Sequence, residues 1–364
     1  MQIGDVITVT PTELVAGGDA LARVEGLPVF VTNAFPGDVA RVRLYEAKKG
    51  FAKAEMVEVL TPSPSRRAAP CPVANECGGC DWTALRLDRQ LEAKQRILIE
   101  SLRRIGKLDP AGLPAIRIHP SPLNYRLRSR LHRDGDSIGF YAMRSNRVVP
   151  LAPECEVVGV ETARSPSEGE QWEIDRELIR GERDVTMTVG PYMYRLNTSS
   201  FFQVNRHLLG TMLSLVGAHA AAVAQRRIAL DLYGGVGFFT LPIAALFERV
   251  IMVEGSPLSV RYARQNVPRN ARVIAAPVEN QIERLEPADF VFLDPPRAGA
   301  RREVIATIAE RTRAKISYLS CDPVTFARDS SRIIASGWTL ATLDLLDLFP
   351  NTHHVETLAS FERM

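Results

Sequence analysis

Long apolar runs, cysteines and lysines are all scarce in this 364-residue chain, and each scarcity excludes something. No apolar run approaches the roughly 18 residues a membrane-crossing helix needs. The opening "MQIGDVITV" lacks the basic start and apolar core of a secretory leader, so a cytoplasmic location is expected. Five cysteines, an odd number in such a compartment, argue against a disulfide framework. A formal net charge of +3 marks neither a strongly basic nor a strongly acidic protein. A hydrophobic share of 46% with 24% charged residues is that of a globular protein, and the length asks for two or three domains. Internal repeats and low-complexity tracts are missing too.

The charge is unevenly spread. Residues 116–147 hold seven arginines against two acids. Arg126, Arg128 and Arg130 alternate, so on a strand they would line one face and could neutralise successive phosphates of a nucleic acid. A solvated face in an arginine-favouring chain is the plainer alternative. Lys48, Lys49 and Lys53 make up half of the six lysines and sit in one short stretch.

Three of the cysteines fall in "CPVANECGGC", a C-x5-C-x2-C cluster of Cys71, Cys77 and Cys80. The C-x2-C step sets two thiolates on one metal centre, and Gly78-Gly79 let the backbone wrap closely. A closed site needs a fourth ligand, and Cys155 in "APECEVV" is available. Zinc and an iron–sulfur cluster both suit four thiolates, and spacing does not separate them. Cys321 is left over, which makes it the candidate for chemistry.

Residues 1–62 read as a small β unit with turns at Gly17-Gly18 and Pro36-Gly37-Asp38. "TPSPSRRAAP" is a linker, and residues 83–107 suggest an amphipathic helix ending near Gly106. Basic strands over 116–150 and further strands to about 197 complete a middle region, 63–197. From 198 to 364 the rhythm becomes βαβα: "RIALDLYGGVG", "RVIMVEGS", "ARVIAAP", "DFVFLDPPR" and "KISYLSCDP" are strands, with helices between. That order implies a doubly wound, mostly parallel sheet.

Ligands of such sheets lie at the carboxyl ends of the strands. Gly235 and Gly237 permit close backbone approach, and Glu254 ends the next strand, where an acid can bind ribose hydroxyls. A dinucleotide fingerprint wants a third glycine at position 240, which is Thr, so the redox-enzyme reading is disfavoured. Asp294 and Cys321 end two later strands. A thiolate beside a group-transfer cofactor points to covalent catalysis. Methylating carbon 5 of a pyrimidine needs one thiolate to add to carbon 6, one base to remove the carbon-5 proton, and one S-adenosylmethionine. Glu356, in an apolar run beside His353 and His354, is the candidate base, because apolar surroundings raise a carboxylate towards neutrality. The histidine pair is the alternative base, or packing.

Together "SCDPVTFARD", "HHVETLASFER", "LDLYGGVGFF", "FVFLDPPRAG" and "SFFQVN" resemble the RNA uracil-5 methyltransferases over nearly the whole chain. The cysteine spacing is similar to the branch that carries a [4Fe-4S] cluster, and residues 1–62 resemble its TRAM domain, a small RNA-binding β-barrel. The resemblance implies an α/β Rossmann-like methyltransferase domain with Cys321 as nucleophile and Glu356 as base. It implies Gln203, Tyr233, Glu254 and Asp294 around S-adenosylmethionine, and a cluster held by Cys71, Cys77, Cys80 and Cys155. Structured RNA would be the partner, 23S rRNA ahead of tRNA, with no membrane and no obligate protein partner. A non-catalytic RNA-binding protein is the remaining rival, disfavoured by Cys321 and Glu356. Several positions depart from the family's habit: Gly234-Gly235 stand where a Cys-Gly pair is common. Phe238 stands where an Asn is common, so a contact from there would have to be made by backbone, and Pro277 stands where a polar residue is usual.

Overall fold

The computed structural model describes residues 1–158, 171–174, 177–180 and 183–363; part of the strands expected between 150 and 183 lies outside them. Two compact units emerge. One comprises Met1–Ile97, Leu131–Val160 and Phe349–His354; the other comprises Leu98–Arg130, Glu161–Leu348 and Val355–Met364.

In the first unit, β1 (Val6–Val9), β2 (Glu13–Leu14), β3 (Ala20–Val24), β4 (Leu27–Thr32), β5 (Val39–Lys48) and β6 (Phe51–Thr61) form one sheet, ordered β1-β5-β6-β4-β3-β2. β5 alternates as a half-buried strand must: Ala40, Val42 and Leu44 point inward while Arg41 and Arg43 face solvent. The Pro36-Gly37-Asp38 turn is fixed by Asp38. Its fully buried carboxylate accepts from the amides of Phe35 and Ser63 and takes both Arg66 nitrogens at 2.7 Å.

Helix α1 spans Leu87–Arg104, inside the expected 83–107. Next in the chain come β7 (Ile116–His119), then β8 (Arg128–Asp134), β9 (Ser137–Tyr141) and β10 (Val148–Pro150), the last three an antiparallel meander. Around β8, Tyr125, Leu127, Ser129 and Leu131 are buried, which leaves Arg126, Arg128 and Arg130 on the opposite side, as their alternation predicts. Arg128 is half-buried, however, and donates to the Ser200 carbonyl at 2.6 Å. β11 (Gln171–Ile174) pairs with β12 (Glu177–Arg180), and β13 (Asp184–Val189) with β14 (Tyr192–Asn197).

The second unit is built on an eight-stranded sheet. After α2 (Leu209–Ala221) come β15 (Ile228–Leu232), α3 (Thr240–Ala244), β16 (Arg249–Glu254), α4 (Pro257–Asn266), β17 (Ala271–Ala275), β18 (Ala288–Leu293), α5 (Arg302–Arg311), β19 (Thr312–Ser320), α6 (Pro323–Ala335), β20 (Trp338–Leu346) and β21 (Glu356–Arg363). The order is β17-β16-β15-β18-β19-β21-β20-β7. β17 to β19 are parallel, as their continuous apolar runs imply, and every residue of β18 is buried. β21 lies antiparallel between β19 and β20, and β7 closes the edge. The expected helix over "FFTLPIAALF" shrinks to the five residues of α3, with Pro242 inside it. α6 starts at Pro323, two residues before Thr325. Asp322 caps it by accepting the Thr325 amide at 2.7 Å, and proline suits a first turn whose amide would be unused.

α6 also pins the loop after β18. Fully buried Asp329 accepts from the Ala300 amide at 3.0 Å and the Tyr318 hydroxyl at 2.9 Å, and pairs with Arg328 and Arg332. Asp329→Ala should therefore lower unfolding stability by about 2–4 kcal/mol in denaturant titration, since it strands buried donors; a change within error would show the loop to be held by packing instead.

Candidate active site

The chain runs β15, β16, β17 towards one edge and then returns to add β18 on the other side of β15, so the strand order reverses between β15 and β18. In open α/β sheets that reversal leaves a crevice beyond the strand ends. Into it the sequence delivers Tyr233 to Gly237 after β15, Glu254 at the end of β16, Asp294 after β18 and Cys321 after β19.

The glycine turn is tightly built. A side chain on Gly234 would stand 2.7 Å from Met252, and Gly235 and Gly237 have φ of +58° and +88°. Tyr233 shares the left-handed region at +61° and donates its hydroxyl to Glu279 at 2.9 Å. The Glu254 carboxylate accepts the amides of Gly235 at 2.9 Å and Ser256 at 2.6 Å, which locks the turn onto the end of β16. The Phe238 carbonyl is taken by the Tyr194 hydroxyl at 3.0 Å, and its ring packs on Phe202 and Phe239.

Carboxylates crowd the crevice. Asp231 is fully buried; Thr240 donates to one of its oxygens, and the other has no partner among the described residues. Burial pushes Asp231 up to about 7, with Glu254 adding to the rise. Asp294 is raised to about 8 by burial, then by Asp231 and Glu254. Gln203, 8% exposed, donates to Asp294 at 3.4 Å. Glu356 opens β21 only 4% exposed, and burial followed by Asp294 holds it well above the usual carboxylate range, opposed by Arg297. The Cys321 thiol is pushed up to about 12, first by burial and then by Glu356 and Asp294, again opposed by Arg297. Electrostatically, Cys321, Glu356, Asp294 and Arg297 form one group.

Comparison with known proteins now bears on this arrangement. The profile described as tRNA (Uracil-5-)-methyltransferase matches residues 154–285 and 281–364, and that of the TRAM domain matches residues 1–57. The chain belongs to the tRNA (uracil-5-)-methyltransferase family. An uncharacterized RNA methyltransferase of Corynebacterium efficiens is 34% identical, over 99% of this chain and 95% of that protein. One of Gloeobacter violaceus is 31% identical, over 99% and 97%. The 23S rRNA (uracil(1939)-C(5))-methyltransferase RlmD of a Shewanella strain is 29% identical, over 95% and 93%. The Pyrococcus abyssi tRNA (uracil-54, C5)-methyltransferase, solved with S-adenosyl-L-homocysteine, shares the fold with a TM-score of 0.72 at 23% identity, over 97% of this chain and 99% of that one.

In this uracil-5 methyltransferase the four remaining cysteines also meet. In the first unit Cys71, Cys77, Cys80 and Cys155 border one cavity, and all are free thiols. Among the described residues no group of three or more His, Cys, Asp or Glu side chains is placed to hold a metal ion. A side chain on Gly79 would crowd Phe140 at 3.3 Å and the Cys77 sulfur at 3.4 Å, and its amide donates to that sulfur. His353, an alternative base on sequence grounds, is committed to Asp81 in the first unit, 2.6 Å from Nδ1. Sequence reasoning missed Asp231 and Arg297; the arginine directly after the double proline of "LDPPR" was the available signal.

The raised Cys321 thiol carries a prediction. Its alkylation by iodoacetamide in the free protein should be slow at neutrality and rise about a hundredfold over the next two pH units, since only the thiolate reacts. Peptide mapping by mass spectrometry follows it separately from the other four. A plateau within that range would show the thiol to be far more acidic than its surroundings imply.

Proposed function

We propose that this protein is a cytoplasmic S-adenosylmethionine-dependent enzyme that forms 5-methyluridine in structured RNA, with 23S rRNA favoured. The observation that carries the reading is the grouping of a half-buried thiol, Cys321, with the half-buried Asp294 and the buried Glu356 at the ends of adjacent strands. The Shewanella relative supports rRNA because it matches nearly end to end. The family description and the Pyrococcus structure keep the tRNA T-loop as the second reading. Residues 1–62 would hold RNA, 63–197 would carry the cluster and basic strands, and 198–364 would perform the transfer.

The crevice fits the cofactor: carboxylates at Glu254, Asp294 and Asp231, one with an orphaned oxygen, await a cation and hydroxyl donors. When bound, S-adenosylmethionine supplies an electrophilic methyl group and a positive charge. Gln203, Tyr233, Glu254 and Asp294 are the residues we assign to it. In the free protein burial favours the protonated Cys321 and Glu356; a neighbouring cation favours the ionised form of both, with their protons released to solvent. The Cys321 thiolate then bonds to carbon 6 of a flipped-out uracil, and the displaced electron pair makes carbon 5 nucleophilic. After carbon 5 is methylated, Glu356 takes its proton, the ring double bond re-forms and the thiolate leaves.

The four cysteines suit a [4Fe-4S] cluster. They border one cavity in the first unit, and their spacing is similar to that of the cluster-bearing branch. We assign it a structural role, because methyl transfer moves no net electron.

Anaerobically purified protein given labelled S-adenosylmethionine should place label in 5-methyluridine of a 23S transcript. Label only in tRNA would move the target; label in neither, with cofactor bound, would remove the reaction. Glu356→Gln should accumulate the covalent RNA adduct that Cys321→Ala cannot form, visible as a gel-shifted band. Separately, because Asp294 is protonated below about pH 8 and a cation favours its ionised form, cofactor affinity should rise with pH up to that value and then level. Calorimetry in two buffers would detect the released proton; pH-independent affinity would mean that Asp294 does not face the cofactor.

A further inference from the structure

The first unit contains a cleft that the proposed methyl transfer leaves unused. Its volume of about 500 Å3 is within the range of ligand sites. Among its lining residues Tyr45, Lys53, Tyr141, Arg144, His353 and His354 are planar or cationic; Asp19 and Asp81 also line it, engaged by the Thr32 hydroxyl and by His353.

These planes are set in advance. The Arg144 guanidinium lies over the Tyr45 ring at 4.3 Å and donates to the Thr32 hydroxyl. Tyr141, 38% exposed, is stacked on His132 with centroids 3.7 Å apart. His353 is oriented by Asp81, which takes both its ring Nδ1 at 2.6 Å and its amide at 3.1 Å, and its ring lies 4.4 Å from that of His354. Part of the wall is backbone: Gly17 has φ +96° and nothing stands within 4 Å of where its side chain would be, whereas a side chain on Gly18 would stand 3.0 Å from His353. Lys53 and Lys48 share Glu46, at 3.2 and 2.6 Å, so positive charge exceeds negative along this edge of β5 and β6. Flat rings with flanking cations and open backbone are what a splayed nucleotide requires: a surface for the base and a partner for its phosphate.

We propose that this cleft takes one unstacked nucleotide of the RNA substrate, other than the uridine that is methylated. Its base stacks on the imidazole and phenol planes, and its phosphate pairs with Lys53 and Arg144. Continuation of the positive edge to Lys49 favours a polymer over a free nucleotide. The inference rests on the RNA reading above and adds a second position at which sequence or shape is tested.

The test is a cycle between protein and RNA variants. In full-length protein, abasic substitutions are made one at a time around the target uridine, and binding is measured for wild type and for Tyr141→Ala/Arg144→Ala. Both side chains are exposed, so the fold should survive, and Lys53→Ala is a second variant should it not. One abasic position should weaken wild-type binding about tenfold to a hundredfold and have no further effect in the double variant. Equal abasic penalties in both proteins, or a uniform loss across all RNAs, would overturn the cleft as a nucleotide site. Tight binding of a mononucleotide that the RNA does not displace would overturn the polymer. The same RNAs are assayed for 5-methyluridine: a lost base-specific effect with methylation intact condemns only the cleft, whereas a base-specific effect without methylation condemns only the enzyme reading.

Discussion

The second unit is organised around negative charge that its own structure does not fully compensate. Asp231 and Glu356 are buried and Asp294 is half-buried, each raises or is raised by a neighbour, and Arg297 opposes the rise at both Glu356 and Cys321. Burial of unpaired carboxyls is costly, and proteins meet the cost by holding the proton. The consequence is a site in which burial favours the protonated forms of Asp231, Asp294, Glu356 and the Cys321 thiol. The sheet makes this possible, since parallel strands from different parts of the chain bring their carboxyl ends to one crevice.

Much of this was legible in the sequence because it depends on local pattern. Continuous apolar runs ending in Glu254, Asp294 and Cys321 identify parallel strands and the residues at their tips. Alternation around Arg126 to Arg130 identifies the buried side of the strand, although of the three arginines only Arg130 is exposed. What pattern could not supply was pairing. Nothing in "IRIH" tells that Ile116–His119 joins the far edge of the catalytic sheet, and nothing in "HHVETLASFER" tells that its strand lies inside the sheet rather than at its border. The Phe238 carbonyl illustrates the same limit: the hydroxyl that bonds it comes from Tyr194, 44 residues away.

The first unit depends on a different kind of glue. Asn351, fully buried at φ +65°, joins Arg67, Glu156 and Gln90 through its side chain and backbone. Arg67 grips Glu156 with two nitrogens, and Trp82 donates its amide to the Asn351 carbonyl. Glu156 and Asn351 also border the cysteine cavity. A short piece from near the end of the chain is thereby tied to the cysteine-bearing loop, so that ordering of the one and of the other belong to the same event.

The edge strand β7 has a consequence for the order of assembly. Arg117 meets Asp344 at 2.6 Å across a sequence separation of 227 residues. At ordinary translation rates the first partner waits roughly 10–45 s for the second to be made. Until then Ile116–His119 has no sheet to join, and its backbone remains an open invitation to any other strand. The border strand of the sheet is thus made long before the strand that gives it a place.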